Sequence, residues 1–116
     1  MKTFNGWFAA SVATLALLGA ATVAAGEAVT QAQIEAATTA AQHEAIALSY
    51  QEEAAAAEKK ADGHAMMAKA YRNRCGKATM TSMADHCDSL AQTYRSAAVE
   101  YRLLAKEHQE MAAAAK

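Results

Sequence analysis

The side chains that could do chemistry in this 116-residue chain are three histidine–methionine pairs and two cysteines. His64 and Met67, Met83 and His86, and His108 and Met111 are each three apart, so the members of a pair share a helix face. Imidazole with thioether, and thiols at Cys75 and Cys87 nearby, is a soft donor set suited to Cu(I). Copper binding or buffering through these six residues is one reading. The competing reading is structural: His64 and His108 fall on a packing seam, and His86 can meet carbonyls at a helix end.

Other site chemistry finds no support. A di-iron bundle needs Glu-x-x-His on facing helices, but Ala40, Ala61, Met83 and Ala105 stand three before the four histidines. There is no Cys-x-x-Cys-His haem motif, no glycine-rich phosphate loop and no nucleophile-elbow spacing. Cys87 beside His86 could act as a redox thiol. Glu52-Glu53 and Lys59-Lys60 read as solvated helix face. The sequence points away from an enzyme.

What must position these residues is helical. The chain contains no proline, and an alanine-rich segment lies on each side of Cys75–Cys87. Ala40, Ala47, Ala54, Ala61 and Ala68 recur at sevens, with His43, Tyr50, Ala57, His64 and Tyr71 between them. After the bend, Ala84, Ala91, Ala98, Ala105 and Ala112 recur likewise, alternating with Cys87, Tyr94, Tyr101, His108 and Ala115. Steps of four and three are the mark of a left-handed coiled-coil contact. Met83, Leu90, Leu104 and Met111 widen the second stripe. The two segments also repeat each other at an offset of 44, with Tyr50 mapping to Tyr94, His64 to His108 and Met67 to Met111.

Local signals set the expected boundaries. Thr30-Gln-Ala-Gln33 is a capping box that starts a helix over about 30–75, ended by Gly76. Thr38-Thr39 is a mild weak point; Asp62-Gly63 is the one plausible break, and the seam passes through it in phase, which favours one helix. A bend over about 76–81 leads to a second helix over about 82–115, with Ser82–Asp85 as its capping box. Residues 1–25 read as a secretory signal peptide: Lys2 at the start, an uncharged apolar middle, and small residues at Val23-Ala24-Ala25. Residues 26–116 form the mature domain, and a retained anchor is the alternative for the leader.

Export favours pairing Cys75 with Cys87. Such a cystine would align the helices so that partner numbers sum to about 162, with Ala68 level with Tyr94 and the start of helix one overhanging. That alignment sets His86 about 18 Å along the axis from His64, against a copper site within one chain.

Charge is nearly balanced, with 11 basic and 12 acidic residues, and no basic face suggests nucleic acid. Without the leader the chain keeps no Trp or Phe, so a conventional core cannot form. Ile34, Ile46, Leu48, Met67, Leu90, Leu103, Leu104 and Met111 find no place inside a two-helix hairpin. The expected fold is all-α, an alanine-rich antiparallel hairpin with a disulfide near the bend, dimerising to a four-helix bundle. The expected function is that of an exported, periplasmic or secreted, self-associating scaffold or interaction module. Copper buffering is the first alternative, and a membrane-surface or stress protein using the apolar strip is the second.

Overall fold

The computed structural model describes residues 27–74 and 78–115. The expected signal peptide and Cys75 lie outside these residues. The described chain is helical: α1 (Gln31–Ala36), α2 (Ala40–Asn73) and α3 (Ala78–Ala114). The long helices α2 and α3 pack along their length as an antiparallel hairpin.

The first helix is not continuous with the second, contrary to the single helix expected over 30–75. Two Thr-x-x-Gln boxes start two helices. The Gln33 amide N–H donates to Thr30 Oγ1 at 3.3 Å while Gln33 Oε1 accepts from the Thr30 N–H at 2.7 Å. Thr39 and Gln42 repeat the exchange at 3.3 and 3.0 Å, and Gln42 Oε1 also accepts from the Thr38 N–H at 2.9 Å. A capping threonine needs extended backbone, and Thr39 has φ −111° and ψ 155°. The helix therefore breaks at Ala37–Thr39 and runs unbroken through Asp62-Gly63. At the other end, α3 begins at Ala78, so Ser82 and Asp85 lie within it rather than capping it. Asp85 faces Arg72 of α2 instead, at 3.6 Å.

The break turns the chain back on itself. Glu27 lies beside Ser49, Glu52, Glu53 and Ala56, so the segment ahead of α2 returns along α2 rather than projecting beyond it. Val29, Gln33 and Ala37, four apart, are its half-covered positions. Ile46 and Ser49, three apart on α2, are both buried, and Ser49 is one of the residues beside Glu27. Ile46 thus has a place in the fold that the hairpin was not expected to offer.

The core is the alanine seam. Ala47, Ala54, Ala57, Ala61 and Ala68 of α2 and Ala84, Ala91, Ala98, Ala105 and Ala112 of α3 are all buried. Tyr101 packs on the cluster of Ala54, Ala57 and Ala98.

The register differs from the expected one by a heptad. Partner numbers add to 151 for Tyr50–Tyr101 and His43–His108, to 158 for His64–Tyr94, and to 160 for Arg72–Asp88 and Glu58–Arg102. Their mean is 156, nearer the seam-matched sum of 155 than the expected 162, so Ala61 rather than Ala68 lies level with Tyr94. Two physical facts favour this register. It overlaps the 34 residues of α2 with nearly all 37 of α3, leaving no overhang. It sets opposite charges across one flank. Sliding by seven would bring Arg72 level with Arg95 instead of Asp88.

The expected Cys75–Cys87 disulfide involves Cys75, which lies outside the described residues. Cys87 carries a free, half-buried thiol and lies level with Ala68.

Candidate functional site

Rings ladder the seam between the alanines. Tyr50 lies 6.2 Å from Tyr101 and 5.9 Å from His108, centroid to centroid. His64 stacks on Tyr94, and the Lys60 ammonium sits 5.5 Å over the same tyrosine ring. Alanine at each heptad brings the helices close, and the half-buried rings cover the edges of the narrow groove.

The two flanks of the seam differ in chemistry. On one, Asp88, Arg95 and Arg102 follow seam alanines by four. Arg72 donates to Asp88, Arg102 donates to Glu58, and Arg95 reaches Asp62 at 3.9 Å. These pairs are about half exposed, where each contributes about 0–1 kcal/mol, so they select the register more than they stabilise it. On the other flank, Met83, Leu90, Ala97, Leu104 and Met111 directly precede seam alanines. The four larger ones are 37–44% exposed although they border the core.

The open end of the hairpin holds a contact the sequence reading did not find. His43 Nδ1 lies 3.1 Å from His108 Nδ1. The ring centroids are 5.3 Å apart, little more than the nitrogen separation plus two ring radii, so both Nδ1 atoms lie between the rings. That is the geometry of one N–H···N hydrogen bond, with one ring donating and the other accepting. His108 is only 6% exposed. Burial pushes its pKa below the ordinary imidazole value, His43 adds to the effect, and Glu107 opposes it. Both residues were seam positions in the sequence, but their meeting depends on a register the sequence left open.

The six histidines and methionines weighed for copper are not gathered. In this register His64 is level with Ala91, about 25 Å along the axis from His108. His64 and Met67, with Met83 and His86, belong to the half near the bend, and His108 and Met111 to the open end. Met67, Met83 and Met111 are 43–44% exposed, and His86 is exposed. His64 Nδ1 is buried without a hydrogen bond, its ring occupied by Tyr94. Among the described residues, no three His, Cys, Asp or Glu side chains are placed to hold a metal ion.

No protein-family model, curated protein or solved structure matches the chain. Its function has to be argued from its own surfaces. Among the described residues, no helix is long and apolar enough to cross a membrane.

Proposed function

We propose that the chain is a non-enzymatic, self-associating helical module of the cell envelope, exported by its leader, whose hairpins pair into a four-helix bundle. The observation that supports this is the exposed line on α3. Read from either end, Met83, Leu90, Ala97, Leu104 and Met111 give the same order of side chains. Two copies of α3 packed antiparallel about a two-fold axis at Ala97 would set Met83 against Met111 and Leu90 against Leu104, with alanine at the crossing. An isologous interface requires such self-complementarity.

The magnitudes favour a reversible assembly. Burying the exposed part of each large side chain contributes about 1 kcal/mol. Eight of them in a dimer then meet an association cost of about 4–15 kcal/mol. Sedimentation equilibrium over a hundredfold concentration range should show a monomer–dimer equilibrium. Leu90→Asp with Leu104→Asp should abolish it while helical circular dichroism persists. A monomer throughout, or unchanged association of the variant, would sink the reading. Flotation with lipid vesicles separates it from the membrane-surface alternative, which requires the protein to rise with the lipid.

A further inference from the structure

We propose that His43 and His108 form an acid-sensitive latch that closes the open end of the hairpin when they share a proton and releases it when each ring carries its own. The inference stands apart from self-association, since the contact lies within one chain.

The geometry carries it. His43 lies in the first turn of α2 and His108 in the last two turns of α3, so the contact ties the two free ends of the rods. In the neutral pair one Nδ1 bears the hydrogen and the other accepts it. A first added proton can sit on the donor ring, at its Nε2, without disturbing the bond. A second must go to the accepting Nδ1. Two N–H groups would then point at each other across 3.1 Å, with like charges at a site that excludes most water. The pair holds zero or one charge in contact, and two only apart.

The surroundings offer limited relief. On α3, Glu107 is the group that favours a charged His108. On α2, Glu44 adjoins His43 in the chain, and Tyr50 presents its ring to His108. On α1, Glu35 accepts from the Gln31 side chain at 2.6 Å. The adjoining seam residues are alanines, which cannot hydrogen-bond a separated imidazolium.

The repeat in the sequence supplies an internal control. Adding 44 to a residue of α2, and subtracting 44 from its partner on α3, carries His43–His108 onto Cys87 and His64. The bend half therefore has cysteine where the open half has His43, and the same proton-sharing contact cannot form there.

The test is amide hydrogen exchange on the full chain at about pH 7.5 and about pH 5, either side of the ordinary imidazole pKa of about 6.5. Protection factors for residues 43–47 and 108–112 should fall by about tenfold more than those for 64–68 and 87–91, tenfold being the factor for one pKa unit. His43→Leu with His108→Leu should remove this difference, because only the paired rings at the open end are changed. Equal loss at both ends in the natural protein, or a difference that survives the double change, overturns the latch. Should the variant lose its helices, the ring nitrogens of the natural protein decide. At about pH 7.5, well above the ordinary pKa, 15N shifts should show one ring protonated at Nδ1 and the other at Nε2. Two Nε2–H rings would refute the shared proton.

Discussion

His64 lies flat against Tyr94 across the seam, with ring centroids 5.5 Å apart and planes 7° from parallel. The equivalent pair 44 residues on, with the helices exchanged, also meets, though tilted: His108 faces Tyr50 at 5.9 Å with the planes 38° apart. Glu58 and Arg102, themselves 44 apart, pair with each other, as two equivalent positions must where a pseudo-two-fold axis crosses the hairpin. The offset visible in the sequence is thus also a relation between contacts. If the two stacks are equivalent supports, Tyr94→Ala and Tyr50→Ala should each lower unfolding stability by about 1–3 kcal/mol, from lost area and ring contact. Tyr→Phe at either site should change it by far less, because it keeps the ring and its contact with the histidine. Urea unfolding followed by circular dichroism measures all four.

Close approach of the backbones is what the alanines provide, so enlarging one should be costly where shortening a core side chain usually is. Ala61 is fully buried and Ala98 nearly so. Ala61→Leu or Ala98→Leu should destabilise by about 1–3 kcal/mol or more, because extra methylenes in a packed seam force the helices apart. Ala55→Leu, on the exposed face of α2, should stay within about 0.5 kcal/mol of the natural protein. Equal tolerance at both kinds of site would mean that the seam is not the packed contact.

Gly63 interrupts neither α2 nor its packing. A Cβ built there meets nothing within 4 Å. Gly63→Ala should therefore raise stability by about 0.4–1 kcal/mol, by restricting the unfolded chain and favouring the helix. Thr39→Ala should act oppositely, by about 1 kcal/mol, because it removes the oxygen that accepts from Gln42 N–H at 3.3 Å. Thermal unfolding of the two single changes checks both signs.

Much of this architecture was legible in the residues, and the parts that were not share a cause. The seam alanines could be read because burial follows a seven-residue period that nothing else in the chain imitates. The register could not, because sliding one helix by a heptad leaves every alanine facing an equivalent neighbour. Only the flanking charges, with Arg72 meeting Asp88 rather than Arg95, and the matched helix lengths discriminate, whereas the expected register rested on the cystine alone. The break at Thr39 was readable in principle, since Thr39-Ala-Ala-Gln42 repeats the capping pattern of Thr30-Gln-Ala-Gln33. The seam starts only at Ala40, so nothing in its phase spoke for or against a break there. The His43–His108 contact follows from the register and so was missed with it. Ile46, expected to find no place inside the hairpin, is buried instead.

The pH dependence of global stability follows from His108. Its folded pKa lies below the ordinary imidazole value, chiefly through burial, with His43 contributing in the same direction. The unfolded chain therefore binds more protons than the folded one as pH falls through about 6.5, and stability must rise with pH across that window. The contribution is fully present above about 6.5, is lost progressively as pH falls through the folded value, and then levels off. Urea midpoints measured from about pH 7.5 downward, on both sides of that ordinary value, should decline accordingly. His108→Gln, which keeps a polar group in place but cannot titrate, should make the decline shallower while His64 and His86 remain. A midpoint that climbs on acidification would mean that His108 gains rather than loses proton affinity on folding, and so that its ring is not held between His43 and Tyr50 as a buried neutral group.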